Sequence, residues 1–193
     1  MEINKHFIYK IKDNYYQDFP DPNLKNNKGE SRPNYFVFQG KEEDILWFIP
    51  MSSKVEKFER ILKDREEQGK PTDIAYVCEV GSRKQAFVIQ DMFPVTREYV
   101  KEEYIVNKNP YRLVDNKDIK NIEEKALRIK NLIDKNIKFN RMQPNVKEIE
   151  KQLIKKSIIN TKNISDEKKT EEEKNNKELR RKAFLRNQMK RER

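Results

Sequence analysis

The segment Ile45 to Leu62, ILWFIPMSSKVEKFERIL, constrains the fold more than any other part of this chain. Its first five residues form an apolar run typical of a buried strand, which we expect Pro50 to end. Ser53, with Glu56 three positions later, predicts a capping box at the start of a helix over 54–68. The apolar face of that helix would hold Val55, Phe58, Ile61 and Leu62, and its stop signals are Gly69 and Pro71.

The junction between this strand and helix carries hydroxyl and ammonium groups. Ser52 and Ser53 precede Lys54, and Lys57 follows one turn later. Unpaired N–H groups and the positive end of the helix dipole favour an anion at such a place, and two lysines strengthen a preference for phosphate. The alternative is that the serines only cap the helix and the lysines only face solvent.

The order of predicted elements defines the fold class. Apolar or alternating runs predict five strands, at 5–11, 34–39, 45–49, 73–80 and 84–92. The segment from Asp13 to Pro33 reads as a long loop with one helical turn near Tyr15 to Phe19. Helices are predicted after Thr96, after Pro144 and over 116–135. The apolar stripe of the 116–135 helix consists of Ile119, Ile122, Ala126, Ile129, Leu132 and Ile133. Strands followed by helices indicate an α+β domain with a twisted antiparallel sheet and flanking helices.

Charge separates a tail from this domain. The net charge is +10 and the pI about 9.4, and residues 161–193 carry 12 Lys/Arg against 7 Asp/Glu, which is half of that surplus. We therefore predict a domain over 1–158 and a basic, charged C-terminal tail over 159–193, helical or disordered. A surplus of this size favours a polyanionic partner, although a lysine-rich proteome would produce the same composition.

Single copies of cysteine and histidine restrict the chemistry. Cys78 lies in an apolar run, where it is expected to be a small core residue, and His6 has no second histidine to work with. These counts exclude a disulfide framework, a Cys-based zinc site and a His pair, and we expect neither a metal nor a cofactor. With no predicted signal peptide or membrane span, a cytoplasmic protein without membrane contact is expected.

If the ligand at the serine–lysine turn (Ser52, Ser53 and Lys54) is an RNA phosphate, the reaction to consider is metal-free RNA cleavage. Attack of a 2′-hydroxyl on phosphorus needs a base, a proton donor for the leaving oxygen and positive charge on the phosphate. With one histidine, these roles fall to lysine, tyrosine, serine and arginine. Further candidates for RNA contact are two arginines and four tyrosines: Arg32, Arg83, Tyr9, Tyr15, Tyr16 and Tyr35. Each tyrosine has packing as its alternative role, and Trp47 is expected in the core.

Four sequence segments, in a fixed order along the chain, resemble those of a known family. They are FIYKIKDNYY at Phe7 to Tyr16, RPNYF at Arg32 to Phe36, FIPMSSK at Phe48 to Lys54 and FVIQDMFPV at Phe87 to Val95. This layout, over about residues 5–155, resembles the type III toxin–antitoxin endoribonucleases of the ToxN/AbiQ family, and most of all their CptN branch.

The resemblance implies a function and a set of roles. It implies a metal-independent, sequence-selective endoribonuclease of a phage-defence system, which processes its own RNA antitoxin and is inhibited by that RNA pseudoknot in a protein–RNA hetero-oligomer. Its paired hydroxyls map onto Ser52 and Ser53, and its N-terminal tyrosine onto Tyr15. The catalytic lysine would be Lys54 or Lys57. A basic loop residue of the family aligns near Asn34, which makes Asn34 a candidate for RNA binding, and Arg32 would substitute for the basic residue.

Two other functions are open on the sequence alone. A non-catalytic RNA-binding or regulatory protein would use the same basic groove without cutting. A plasmid or phage protein would bind DNA through the arginine-rich end of the tail, RRKAFLRNQMKRER.

Overall fold

A computed structural model of the protein describes residues 2–25, 27–42, 44–140 and 142–159. The chain divides into two units, residues 1–154 and 155–193, and the fold below is that of the first unit. The predicted tail from 159 falls almost entirely outside the described residues, so the boundary at 158 stays a prediction.

A seven-stranded antiparallel sheet forms the centre of the described unit. Its strands are β1 (Ile8–Ile11), β2 (Asn34–Gln39), β3 (Leu46–Ser52), β4 (Tyr76–Val80), β5 (Arg83–Phe87), β6 (Phe93–Val95) and β7 (Val100–Glu103). They follow the order β4-β5-β3-β2-β1-β7, and β6 pairs with β3 beyond the end of β5. With helices against this sheet, the predicted α+β class is confirmed.

Strand β3 is hydrogen-bonded on both sides. It pairs with β2 along its length, while its first half pairs with β6 and its last two residues pair with β5. Residues from Leu46 to Met51 are all buried, as a strand covered on both faces requires. Phe48 stacks on Phe36 with ring centroids 5.3 Å apart, and Trp47 is fully buried, as predicted.

Helices cover this sheet at positions close to the predicted ones. They are α1 (Asp13–Asp18), α2 (Val55–Glu67), α3 (Asn116–Asp134) and a fourth helix, α4, which begins at residue 146. Asp115 caps α3, because its carboxylate accepts a hydrogen bond from the Asp118 N–H at 2.9 Å. Helix α3 buries the predicted apolar stripe, with Ile122, Ala126, Ile129 and Ile133 in the core.

Helix α2 packs on the β4–β5 hairpin through a small apolar cluster of its own. Phe58 contacts the group formed by Ala75, Ala86 and Val88. Because β5 also pairs with the end of β3, this packing places the first turn of α2 next to Ser52. The predicted helix over 54–68 is therefore confirmed, together with the apolar face that holds it.

The helix predicted after Thr96 is wrong. A single 3-10 turn at Arg97–Tyr99 leads directly into β7, and a small hairpin of β8 (Ile105–Val106) and β9 (Asn109–Pro110) follows. Residues 100–103 form a strand instead of a helix because they pair with the edge of β1 that β2 leaves unpaired, from Tyr9↔Glu103 to Ile11↔Val100. Tertiary pairing thus overrides the local helical spacing.

The second predicted hairpin is confirmed, but both of its strands are shorter than predicted. The first begins at Tyr76, and the second ends at Phe87, after which Ile89–Asp91 forms a 3-10 turn. Cys78 is buried in β4, as expected for a small core residue.

Candidate active site

Pro50 does not end β3, contrary to the prediction. Its carbonyl accepts a hydrogen bond from the Val88 N–H at 3.0 Å, and the next N–H, of Met51, donates to the Pro33 carbonyl at 2.9 Å. The missing proline N–H therefore leaves the ladder intact on both sides. As a result Ser52 is the last residue of a strand, opposite Ala86 of β5.

The serine–lysine turn lies directly after this strand end. The Ser52 hydroxyl, which is half-buried, accepts a hydrogen bond from the Lys54 N–H at 3.2 Å. Lys54 occupies the N-cap position of α2, without a side-chain cap. The predicted capping box of Ser53 and Glu56 is therefore wrong, because the helix begins one residue later than that box requires. Ser53 is exposed and its hydroxyl is not used in capping.

Three cationic side chains from two parts of the chain lie near this turn. Lys54 is exposed just before the first turn of α2, and Lys57 is exposed within that turn. Arg32 is half-buried, and its Nη1 donates a hydrogen bond to the Met51 carbonyl at 3.2 Å. Since Met51 immediately precedes Ser52, this bond fixes the guanidinium beside the strand end. Hydroxyls, cations and uncapped helix N–H groups together make a surface that suits a phosphate.

Asn34 supports Arg32 from within the core. It is fully buried at the start of β2, and its amide donates to the Arg32 carbonyl at 2.8 Å. Asn34 therefore orients the chain before β2, and its own side chain does not reach the surface.

The long loop that carries Arg32 is anchored at two further places. The Asn27 amide donates to the Ile11 carbonyl and to the Asp13 carboxylate, both at 2.7 Å. Glu30 accepts from the Asp13 N–H at 2.7 Å and from the Lys101 ammonium at 2.6 Å. These bonds hold the loop against β1, α1 and β7.

Two functional candidates in this region, Asp91 and Lys25, were missed by sequence reasoning. Asp91, at the end of the 3-10 turn, is only 4% exposed, and its carboxylate lies 3.4 Å from the Lys25 ammonium. Burial raises the pKa of Asp91, while the charges of Lys25, Arg32 and Lys57 act to lower it. The sequence gives one weak signal for Asp91, which is a single acidic residue within the otherwise largely apolar segment FVIQDMFPV.

Three of the four tyrosine candidates belong to the core. Tyr9, Tyr15 and Tyr35 are fully buried, and burial raises the pKa of each phenol. Their hydroxyls have internal partners: the Asn4 carbonyl at 3.3 Å, the Pro94 carbonyl at 2.8 Å and the His6 imidazole at 2.9 Å. None of the three rings is available for stacking on a base in this conformation.

Tyr16 differs from the other tyrosines because it is only half-buried. Burial raises its pKa too, and the positive charge of Arg32 acts in the opposite direction. Tyr16 lines a cleft of about 450 Å³ between α1 and the loop that includes Leu24 and Gly29.

Arg83 is not brought to the turn. It is exposed at the first position of β5, opposite Val80, whereas Ser52 pairs with Ala86 three residues further along. At about 3.4 Å per residue, roughly 10 Å of strand separates the two positions.

The described residues contain no group of three or more His, Cys, Asp or Glu side chains arranged to hold a metal ion. Among the helices described, none is long and apolar enough to cross a membrane.

Comparison with known proteins gives matches in structure only. No protein-family model and no curated protein matches the chain by sequence. Among solved structures, the lactococcal anti-phage endoribonuclease AbiQ of a type III toxin–antitoxin system is similar, with a TM-score of 0.60 and 15% identity over 80% of this chain and 99% of that one.

A second similar structure comes from a bacterial antiviral system that a processed non-coding RNA regulates. Its TM-score is 0.51 and its identity 12%, over 75% of this chain and 95% of that one. At such low identity the similarity establishes a shared fold. It covers nearly the whole length of both known chains.

Proposed function

We propose that this protein is an endoribonuclease and acts as the toxin of a type III toxin–antitoxin system. The observation that carries the proposal is the turn at Ser52, Ser53 and Lys54, which is exposed beside Arg32 at the end of the central strand. The shared fold with AbiQ, itself an endoribonuclease of such a system, supports it.

The proposed reaction is attack of a ribose 2′-hydroxyl on the adjacent phosphorus. The new P–O bond forms as the bond to the 5′-oxygen breaks, which leaves a 2′,3′-cyclic phosphate and a free 5′-hydroxyl. A base must take the proton of the attacking hydroxyl, and an acid must supply one to the leaving oxygen. Lys54 and Lys57 are the candidates for proton transfer, and Ser53 would hydrogen-bond the phosphate.

Charge stabilisation falls to the groups fixed around the strand end. The Arg32 guanidinium is a planar fork of N–H donors, which can bind the Met51 carbonyl and a non-bridging phosphate oxygen with different nitrogens. The uncapped N–H groups at the start of α2 would bind a second phosphate oxygen. Preorganised donors of this kind act where negative charge develops in the transition state.

Metal independence is part of the proposal. Protonated ammonium and guanidinium groups have no lone pair for a metal ion, and their positive charge repels a divalent cation. Asp91, a buried acid near these groups, is already paired with Lys25.

The proposed partner is RNA, both as a target and as an inhibitory antitoxin. We infer that a folded antitoxin RNA, a pseudoknot that the enzyme itself processes, occupies the same cationic surface in a protein–RNA hetero-oligomer. The positive charge of the chain, +10 overall, favours such a polyanion.

Purified protein tests the proposal directly. It should cleave mixed-sequence RNA in EDTA, and mass spectrometry of the products should find 2′,3′-cyclic phosphate ends. Cleavage that requires magnesium would contradict the mechanism. Binding to RNA without any cleavage would instead favour a regulatory RNA-binding protein.

A further inference from the structure

Asp91 is a buried acid among cations. Its side chain is 3% exposed, whereas that of its partner Lys25 is 46% exposed. An isolated carboxylate in such a place is costly, so its neighbours must compensate it. Lys25 does so at 3.4 Å, and Arg32 and Lys57 lie close enough for their charges to act on it.

The backbone fixes Asp91 to the same frame as Ser52. The Asp91 N–H donates to the Val88 carbonyl at 3.0 Å, and the Val88 N–H donates to the Pro50 carbonyl of β3 at 3.0 Å. Two backbone hydrogen bonds therefore connect the residue that carries this carboxylate to β3, the strand that ends in Ser52. Arg32, whose positive charge also acts on Asp91, is bonded to Met51 at the same strand end.

Three cations act on Asp91. The positive charges of Lys25, Arg32 and Lys57 all favour its ionised form. The Lys25 ammonium lies 3.4 Å from the Asp91 carboxylate, and nearly half of the Lys25 side chain is exposed, so an anion in solution can approach it.

We propose that Lys25 is a further phosphate-binding residue of the candidate site, and that Asp91 is the positioning residue that holds its ammonium there. The ligand would be an RNA phosphate close to the scissile one. This inference rests on the proposed function, and it adds the loop before β2 to the RNA surface.

Binding to uncleavable RNA tests the role of Lys25. The probe is a pool of mixed-sequence 2′-O-methyl RNA, which lacks the attacking hydroxyl, titrated between 50 and 200 mM salt. Lys25→Ala should weaken binding about tenfold at low salt, and it should flatten the dependence of log K on log salt by roughly 0.7, the effect of removing one single-strand phosphate interaction. Lys25→Arg should restore both values.

Lys63→Ala is the matched control. Lys63 is an exposed lysine of α2 whose partner is Glu67, at 3.9 Å. This variant removes the same charge from the chain, but away from Asp91. If Lys25→Ala binds like Lys63→Ala while the intact protein binds and cuts RNA, the inference fails and the proposed function stands. If the intact protein neither binds nor cuts RNA, the proposed function fails first.

The role of Asp91 needs a double-mutant comparison. Asp91→Asn should weaken RNA binding in the intact background, raise KM for cleaved RNA more than it lowers kcat, and have no further effect on binding when Lys25 is already Ala. Additive effects would overturn the positioning role. A lower Tm with an unchanged salt slope would make the pair purely structural and would also overturn it.

Discussion

Arg32 donates a hydrogen bond from Nη1 to the carbonyl oxygen of Met51 at 3.2 Å. Arg32 lies just before β2 and Met51 next to the end of β3, so the bond ties the entry of one strand to the exit of its neighbour. The guanidinium of the candidate site is thus fixed by main chain, and its position does not depend on other charged side chains alone.

This bond predicts a penalty for a conservative change at position 32. Arg32→Lys keeps the charge but loses the planar fork that allows one side chain to bind Met51 and a phosphate together. We expect kcat for RNA cleavage to fall by roughly ten- to a hundredfold, in line with the loss of a charge-assisted hydrogen bond. Single-turnover cleavage of labelled RNA measures it.

Arg83→Ala serves as the comparison for this prediction. Because Arg83 lies roughly 10 Å along the hairpin from the turn, its loss should weaken RNA binding at most and leave kcat unchanged. Equal loss of kcat in the Arg32 and Arg83 variants would contradict the placement of the reaction at the strand end.

Ser53→Ala should abolish cleavage without lowering stability. A helix cap is worth about 1 kcal/mol, and Ser53 does not supply one because Lys54 occupies the cap position. Thermal unfolding should therefore give the Tm of the unmodified protein, while cleavage falls at least a hundredfold. Ser82→Ala, at an exposed turn of the second hairpin, is the matched control. A stable Ser53→Ala protein with full activity would remove this hydroxyl from the mechanism.

The two candidate lysines can be separated by single substitutions. Lys54→Ala and Lys57→Ala both remove an exposed charge near the start of α2, so neither should change the fold. The lysine that transfers a proton should lose at least a hundredfold in kcat on substitution, whereas the other should mainly raise KM. Equal, small effects in both would place proton transfer elsewhere.

Cys78 should resist alkylation in the folded protein. Burial raises the pKa of its thiol to about 12, so the reactive thiolate is scarce at pH 8 and becomes abundant only as the pH approaches that value. Compared with a free cysteine, whose pKa is about 8.5, thiolate at pH 8 is roughly a thousandfold less populated. Because Cys78 is the only cysteine, iodoacetamide labelling followed by intact mass gives a direct reading. Rapid labelling without denaturant would contradict the buried placement.

Removal of residues 161–193 should weaken RNA binding and preserve cleavage. The segment has 12 basic residues but only one aromatic, Phe184, so it offers charge without a stacking surface. For every phosphate that the shortened protein no longer binds, the salt dependence of log K should flatten by roughly 0.7 to 0.9. Binding of antitoxin-like RNA across salt concentrations, with intact and shortened protein, measures this. Identical slopes would mean that the tail does not touch RNA.

Local patterns predicted much of this fold. The stripe of α3 repeats at helical spacing, so Ile122, Ala126 and Ile129 could be placed in the core from sequence. Pairing between distant segments could not be predicted in this way. The sequence does not reveal that Val88 bonds to Pro50, and hence that β3 continues past its proline.

The candidate site was predicted in part for the same reason. Ser52, Ser53 and Lys54 are contiguous, and a strand followed by a helix brings them to one turn whatever the rest of the chain does. Lys25 and Asp91 meet only through the tertiary fold. Tyr15 was open to two interpretations, since a tyrosine beside a strand has the same sequence signature in the core as on a groove.

The double pairing of β3 divides the candidate site into a fixed and a variable part. Residues up to Met51 are buried and bonded to neighbours on both sides, so substitutions there would damage the whole sheet. Ser53 and Lys54, which follow Ser52, are exposed and do not pack in the core. A saturation library over these positions should yield folded proteins almost throughout, so the chemistry of the turn is free to diverge on an unchanged scaffold.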